Sequence, residues 1–264
     1  MPPGRGSLPI TKAVEMKTNW KTLGFGIVLA AWALPSPAAD RPEFSVESGV
    51  FSQYAQRGTL PTNGPVLQNS YTALWRGAHL NMWTNLNLDS VNGRRGKFDE
   101  ADFDAGYDRS LEIVTLSAGA IRYQFPNTTA PATTEVYAGA TLAVPLRPAV
   151  KAYFDLDGVR GMYVTFDVSH SVPLPPLYPQ VRWSLDLSAG AGWGSSGCGL
   201  FNFGVRERGL VDLHPGLAVP IGLGKHWRVT PRIGYATLAR KALRDSDAPA
   251  PHGFAGGVSL GFTY

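Results

Sequence analysis

The sequence has little of three features that would indicate other classes of protein. It contains one cysteine, Cys198, so an intrachain disulfide and a cysteine-based metal cluster are excluded. After Asp40, no apolar run approaches the roughly 20 residues of a membrane-spanning helix. A charge excess is also absent, because from Asp40 onward 20 basic residues face 19 acidic ones, although the whole chain carries +4. That balance predicts no basic surface for nucleic acid.

The sequence is rich in segments that alternate apolar and polar residues. In Val181 to Trp193 and in Phe254 to Tyr264, one face is apolar and the other is small or polar, because successive side chains of a strand point oppositely. About twelve such segments of about ten residues follow Asp40, a pattern typical of membrane barrels. We predict an all-β fold, a transmembrane antiparallel up-and-down β-barrel of about 12 strands over residues 40–264. An exported soluble β-sandwich is the alternative.

The predicted strands set the boundaries of the barrel and its two ends. Both chain termini are expected on the periplasmic side of the membrane. The longer connections are expected on the outer side, and the shorter turns, such as Asp108 to Ser110, on the periplasmic side. The last strand is expected to pair with the first. The strands are Phe44 to Arg57, Val66 to Leu74, Ala78 to Asp89, Phe98 to Tyr107, Leu111 to Tyr123, Thr134 to Val144, Ala149 to Leu156, Met162 to His170, Val181 to Trp193, Leu210 to Ile221, His226 to Thr237 and Phe254 to Tyr264.

The N-terminal part is typical of an export signal. Lys17 and Lys21 precede the apolar run Leu23 to Leu34, and small residues follow up to Ala39. We predict a signal peptide over residues 16–39, cleaved near Ala38 or Ala39. Residues 1–15 are predicted to be a start-site extension or a disordered tail. Together with the barrel pattern, this predicts the outer membrane of a Gram-negative bacterium as the location.

Four short motifs carry a resemblance to a family. They are Tyr54 with Arg57-Gly58, Asp104-Ala105-Gly106-Tyr107, Tyr123-Gln124-Phe125-Pro126 and Glu135-Val136-Tyr137-Ala138-Gly139. In order and spacing they resemble the Gcw_chp family of Gram-negative proteins, over approximately residues 44 to 170. The resemblance implies an exported outer-membrane barrel and supplies no substrate or catalytic residue.

Charged residues on the polar faces of the strands are candidates to line the lumen. They are Asp102, Asp104, Asp108, Glu135, Lys151, Asp155, Asp167, Arg182, Asp186, Asp212, His214, Arg228 and Arg232. The acidic residues between Asp99 and Asp108 could attract cations or hold Ca²⁺, or they could pair with arginines of other strands. An acidic early wall and a basic late wall would set a field across the lumen, or the same residues would close it with salt bridges.

The remaining polar and aromatic residues have simpler interpretations. His170-Ser171 could be the pair of a barrel lipid hydrolase, in which a base activates the nucleophile. His170 lies at a predicted strand end before Val172-Pro173, and the sequence motif that surrounds the pair in such enzymes is absent, so no catalytic residue is predicted. His214 beside Asp212 does not specify a metal, and neither a metal nor a cofactor is predicted. Five aromatic residues are predicted to anchor the barrel at the membrane interfaces, namely Trp83, Trp193, Trp227, Tyr235 and Tyr264.

These features together predict a channel and not an enzyme. The principal hypothesis is a narrow barrel for passive diffusion of small polar solutes. The alternatives are a non-conducting barrel that serves adhesion, docking or envelope assembly through its outer loops, and the lipid hydrolase. The expected partners are outer-membrane lipid and the barrel-assembly machinery, which would recognise the C-terminal strand ending at Tyr264.

Overall fold

The computed structural model of the protein describes residues 41–158, 160–176, 178–246 and 250–264. The predicted start-site extension and signal peptide, together with Asp40, lie outside these described residues. Within them, neither helix has the length and apolar character that crossing a membrane would require.

The described chain consists almost entirely of strands. They are β1 (Glu43–Phe51), β2 (Tyr54–Gln56), β3 (Thr59–Thr62), β4 (Val66–Trp75), β5 (Ala78–Asn87), β6 (Phe98–Leu111), β7 (Val114–Gln124), β8 (Thr133–Leu142), β9 (Ala149–Asp155), β10 (Met162–Pro173), β11 (Val181–Gly194), β12 (Gly209–Leu213), β13 (Gly216–Ala218), β14 (Ile221–Leu223), β15 (Trp227–Leu238) and β16 (His252–Thr263). The helices are α1 (Ser196–Phe203), between β11 and β12, and α2 (Lys241–Arg244), between β15 and β16.

The strands close into one antiparallel barrel. Each of β4 to β11 pairs with the next, β1 pairs with β4, and the three short strands β12, β13 and β14 together fill one position between β11 and β15. With β15 and β16 the barrel has twelve positions. The seam is β1 against β16, from Ser45 opposite Thr263 to Phe51 opposite Gly257. The predicted fold, strand number and closing pair are confirmed, and closure leaves no unpaired sheet edge.

The two ends of the barrel differ. One, which we call the terminal end, holds the start of β1, the end of β16 and short turns such as Arg76-Gly77. The other, the loop end, holds the longer connections, including those that contain α1 and α2. This division matches the predicted arrangement of long and short connections.

The alternation in the sequence separates the two faces of the barrel wall. Large apolar side chains lie exposed on the outside, among them Phe103 of β6, Phe166 of β10 and Leu260 of β16. The intervening side chains are buried inside and are largely polar. Because an apolar exterior and a polar interior reverse the usual distribution, the barrel presents the surface that a lipid environment requires.

Four of the five predicted interface anchors lie on the outside near the barrel ends. Trp193 and Tyr235 lie toward the loop end, and Trp227 lies at the terminal end beside the exposed C-terminal Tyr264. The prediction for Trp83 is wrong. The inward side chains of β5 are those at odd-numbered positions, such as His79 and Asn81. Trp83 is at an odd-numbered position and pairs with Asp102 on the inner face of the wall, so its ring is inside.

The first predicted strand, Phe44 to Arg57, is also wrong in its second half. The barrel strand β1 ends at Phe51, and β2 and β3 form a separate two-stranded hairpin that makes no ladder with the barrel. Arg57, with φ 45°, and Gly58, with φ 83°, form its turn. Two successive residues with positive φ reverse the chain tightly, so the strand cannot continue through them. The chain between the predicted first and second strands is therefore partly this hairpin.

Two further boundaries differ from the prediction. The predicted strand Leu210 to Ile221 is broken into β12, β13 and β14 at Pro215 and Pro220, because proline cannot donate a ladder hydrogen bond. The predicted turn Asp108 to Ser110 belongs to β6, which continues to Leu111. The chain reverses instead at Glu112, whose φ is 52°. Pairing with β7 thus overrides the turn preference of Asp and Ser.

Candidate functional site in the barrel interior

The barrel interior collects the charged residues that the sequence predicts to face inward. Arg182 is the exception in exposure, because it lies at the terminal-end rim of β11 and its side chain is exposed. The other twelve are buried or half-buried: Asp102, Asp104, Asp108, Glu135, Lys151, Asp155, Asp167, Asp186, Asp212, His214, Arg228 and Arg232. Their placement agrees with the predicted alternation, and their role in conduction stays a prediction.

The β2–β3 hairpin lies inside the barrel and is held by Arg57 at its turn. One guanidinium nitrogen, Nη2, donates to both carboxylate oxygens of Glu135 on β8, at 2.8 and 2.7 Å. The guanidinium also lies over the ring of Tyr163 on β10, 4.5 Å from its centroid. Burial disfavours the charged form, but Glu135 outweighs this effect and the pKa of Arg57 is raised well above its usual range. Arg57 therefore stays charged and anchors the hairpin to the opposite wall.

The body of the hairpin packs against the wall near the loop end. Tyr54 lies against Trp83 of β5, with ring centroids 5.3 Å apart. Thr62 donates to Asp99 of β6 at 3.2 Å. Leu60 packs against the backbone position of Gly253, where a β-carbon would overlap its side chain. Since the contacts of the hairpin involve β5, β6, β8, β10 and β16, the hairpin spans the interior.

A hydrophobic cluster closes the loop end above the hairpin. We call it the loop-end core, and it joins inward aromatic side chains of β7 to β10 with residues of α1, β12, β15 and α2. Its buried members are Ile121, Tyr123, Tyr137, Tyr153, Tyr163, Cys198, Phe203, Val211, Leu238 and Leu243. Because α1 contributes Cys198 and Phe203, this helix packs onto the barrel end as a cover.

Below the hairpin, His79 lies in a network with two aspartates. The hydroxyl of Tyr137 donates to Oδ1 of Asp104 at 3.0 Å and lies 3.0 Å from Nε2 of His79. The other ring nitrogen of His79 lies 3.4 Å from Asp108. Lys151 lies over the Tyr137 ring, 3.7 Å from its centroid. Cationic and anionic side chains thus share one polar surface in the middle of the lumen.

A second histidine network lies on the opposite wall. His214 has Nδ1 at 2.8 Å from Asp212 and Nε2 at 2.9 Å from Asp167. Asp212 also accepts a hydrogen bond from the Tyr163 hydroxyl at 2.7 Å. Both partners of His214 are therefore carboxylates. Asp212 connects this network to the aromatic ring that supports Arg57.

Arg232, a basic residue of a late strand, pairs with a nearby acid. Nη2 of Arg232 on β15 donates to Glu47 of β1 at 2.7 Å, across the intervening strand β16. The Arg232 guanidinium also lies 4.4 Å from the centroid of Phe51. Of the two arrangements weighed for these charges, local salt bridges describe Arg232 and Arg57.

His170 and Ser171 do not form a catalytic pair. His170 points outward and is exposed, whereas Ser171 points inward and donates to Asp186. Since neighbouring side chains of a strand point oppositely, this His and this Ser cannot act as a pair. Among the described residues, no group of three or more His, Cys, Asp or Glu side chains is arranged to hold a metal ion.

Several interior residues were not among the predicted ones. Glu47 and His79 lie on the polar faces of β1 and β5, so the same alternation could have identified them. Asp99 and Glu100 both face inward because the ladder between β5 and β6 shifts register there, and this bulge leaves no clear pattern in the sequence. Arg57 could not be identified, because its position depends on the hairpin.

Comparisons with known proteins give structural likenesses only. No family model matches the sequence, and no curated protein matches it, so the Gcw_chp resemblance stays a prediction. A NanC porin aligns with 8% identity, 83% of this chain, 98% of that chain and a TM-score of 0.49. An outer membrane channel from Pseudomonas putida aligns with 11% identity, 86% of this chain, 97% of that chain and a TM-score of 0.47. The strand pairing of the chain itself establishes the barrel.

Proposed function

We propose that the chain is an integral outer-membrane barrel that forms a narrow channel for passive diffusion of small polar solutes. The observation that carries the proposal is the reversal of the two faces, with an exposed apolar exterior and charged side chains along the interior. An interior of this kind attracts water and polar solutes, and an exterior of this kind requires lipid. The hairpin around Arg57 is the constriction that limits solute size.

The location is tested by cell fractionation combined with gel mobility before and after heating. We expect the protein in the outer-membrane fraction, with faster mobility when unheated, because a folded barrel resists unfolding by detergent. A soluble exported β-protein would instead remain in the periplasmic fraction and would migrate alike in both samples.

Conduction is tested by planar-bilayer recordings of the refolded protein. We expect small single-channel currents for the wild type. In a variant with residues 53–63 replaced by a short glycine–serine linker, we expect larger currents, because the hairpin no longer spans the interior. A variant with the exposed connection between β5 and β6 shortened near Arg94 provides a control for a change in loop length alone. Absence of current in the wild type and in the hairpin variant would contradict the channel.

A non-conducting barrel is the second candidate, and the loop-end core favours it. The tight packing of Phe203, Leu238 and Leu243 over the hairpin is what a closed support for outer loops would need. This candidate predicts no current in the wild type, a clear current once the hairpin is removed, and loss of an envelope phenotype when the α1 connection is replaced.

The proposal includes insertion through the last strand. Tyr264 is 80% exposed at the end of β16 and is available to the barrel-assembly machinery. Deletion of Phe262 to Tyr264 is expected to lower the fraction of heat-modifiable protein in cells. Deletion of the same number of residues from the exposed loop near Arg94 is the control, and an equal loss in both variants would argue against a role of the terminus.

A further inference from the structure

Strand β6 carries a column of carboxylates along its inner face. Asp99, Glu100, Asp102, Asp104 and Asp108 follow one another from the loop end toward the terminal end. Residues two apart on a strand stand about 7 Å apart on one face. The register shift near the loop end turns both Asp99 and Glu100 inward. The column therefore reaches from beside the hairpin into the middle of the lumen.

Three oxygens of this column have no hydrogen-bond partner among the described residues. They are Oε1 of Glu100, Oδ1 of Asp102 and Oδ2 of Asp104, and each of these residues is at most 4% exposed. Nε2 of His79 lies 3.5 Å from Oδ2 of Asp104. A buried carboxylate oxygen without a hydrogen-bond partner is unfavourable, so these positions suit a group that supplies positive charge.

A neutral oxygen without a partner lies beside the column and is an independent sign of the same kind of ligand. It is Oδ1 of Asn81, a residue that is 5% exposed and pairs directly with Asp104 across the ladder. The hydroxyl of Tyr54, whose side chain is 2% exposed, lies beside the carboxyl group of Glu100 and adds a further oxygen to this surface.

The orientation of the Asn81 amide is fixed by its nitrogen. Nδ2 donates to the hydroxyls of Ser70 and Thr72, at 2.8 and 2.7 Å, and to the carbonyl of Tyr71 at 3.3 Å. Its oxygen is therefore the atom left for the lumen. Carboxylate, amide and hydroxyl oxygens together form the ligand set that alkali and alkaline-earth cations prefer.

Acidic groups outnumber the basic groups near the column. Arg57, which is bonded to Glu135 of β8, also acts electrostatically on Glu100 and Asp102. Lys151 and His79 are the basic side chains facing its middle, so three basic groups lie near five carboxyl groups. Since no three ligating side chains converge on one point among the described residues, the contacts suit a passing cation and not a resident metal. Several weak sites in a row are what conduction requires.

We propose that the inner face of β6 makes this barrel selective for small cations, which pass along the column from Glu100 to Asp108. The inference rests on the proposed channel function and names its substrate class. Alkali-metal ions are the simplest members of that class, and the column would favour small organic cations over anions of the same size for the same electrostatic reason.

The experiment is a reversal-potential measurement in a KCl gradient across a planar bilayer. For the refolded mature protein we expect the sign that indicates preference for K⁺ over Cl⁻. In Asp102→Asn and in Asp104→Asn, we expect the reversal potential to shift toward zero, because each removes a carboxylate and keeps the shape. Lys151→Met is expected to shift it the opposite way.

The matched control is Asp157→Asn, which removes a carboxylate that lies outside the lumen in a pair with Arg122. It is expected to leave the reversal potential unchanged, and gel mobility before and after heating verifies that each variant is folded. Current with a reversal potential at zero, or of anion-selective sign, overturns the cation path and leaves the channel intact. Complete absence of current overturns the channel and the path with it.

Discussion

Arg57 is the residue on which the interior arrangement depends most. Removing one member of a buried ion pair leaves the other charge without compensation, which typically costs about 3–5 kcal/mol. The side chains of Arg57 and Glu135 are 13% and 6% exposed, so this range applies to them. We expect Arg57→Ala to lower the free energy of unfolding by about that amount. Urea unfolding in detergent micelles, followed by tryptophan fluorescence, measures it.

The control for Arg57 is the ion pair of Arg122 with Asp157. Its side chains are 42% and 46% exposed, so solvent screens the charges. Arg122→Ala is expected to cost about 0–1 kcal/mol, as for other surface pairs. If the two substitutions had equal effects, the hairpin would not be held by a buried pair.

Gly119 of β7 is required by the Tyr137 ring that lies across it. A β-carbon there would overlap the Tyr137 hydroxyl and lie 2.5 Å from Cζ of the same ring. The ring would have to move and would lose its hydrogen bond to Asp104. We expect Gly119→Ala to cost about 1–3 kcal/mol, the usual range for overpacking. Chemical unfolding measures this loss.

Gly261 of β16 provides the matched control. A β-carbon on Gly261 would meet its nearest atoms at 3.9 Å, an ordinary contact. Gly261→Ala is thus expected to be nearly neutral. A loss comparable to that of Gly119→Ala would show that alanine is disfavoured at barrel glycines in general, and that the Tyr137 contact is not the reason.

At the residue scale, the sequence predicts the face of a side chain and not its partner. The alternation of side chains along each strand places Asp104, Lys151 and Asp212 inside, as the structure has them. Alternation places Trp83 inside as well, and its prediction is wrong because it rests on aromatic type and not on position in the strand. The pairing of Arg57 with Glu135 joins positions 78 residues apart, and no local pattern encodes that distance.

Among the elements, α1 closes the loop end, and Cys198 reports on that closure. Burial raises the pKa of the Cys198 thiol, and the thiolate is the form that reacts with alkylating reagents. We expect iodoacetamide to leave Cys198 unmodified in the folded protein at neutral pH and to modify it after heat unfolding. Mass spectrometry of the intact chain measures the fraction modified.

The control places a thiol at the exposed Ser196 of the same helix. Ser196→Cys in a Cys198→Ser background is expected to react readily in the folded state, because its side chain faces solvent. Rapid modification of native Cys198 would instead mean that α1 is not packed onto the loop-end core.

The β2–β3 hairpin inside the barrel and the helix α1 at its loop end could not be predicted from the sequence, for a physical reason. The strands of the wall repeat a two-residue pattern, because each has one face toward the interior and one away from it. The hairpin is surrounded by barrel residues on several sides, and α1 packs onto the loop end with only part of its surface buried, so neither carries such a pattern. The sequence therefore predicts the hairpin as the continuation of β1 and predicts no helix at α1.

At the scale of the whole molecule, the number of alternating segments predicts that the sheet closes into a barrel. About twelve alternating segments and a terminal strand predicted one barrel, and β1 pairs with β16 as expected. Whether the lumen is open or filled could not be predicted from the sequence, because it depends on how far the loop-end segments fold inward. Long-range contacts such as those of Arg57 and Leu60 determine it.

Whether the exterior lies in lipid is decided by a charge on the outside of the wall. Val258, at the middle of β16, is 50% exposed, and Leu111, at the terminal end of β6, is 45% exposed. In a bilayer, Val258→Arg is expected to cost about 2–4 kcal/mol and Leu111→Arg about 0–1 kcal/mol, because the cost falls toward the interface. Unfolding in lipid vesicles measures both. In a water-soluble barrel, both would be surface substitutions within about 0.5 kcal/mol of the wild type, so an equal, small effect would contradict the membrane location.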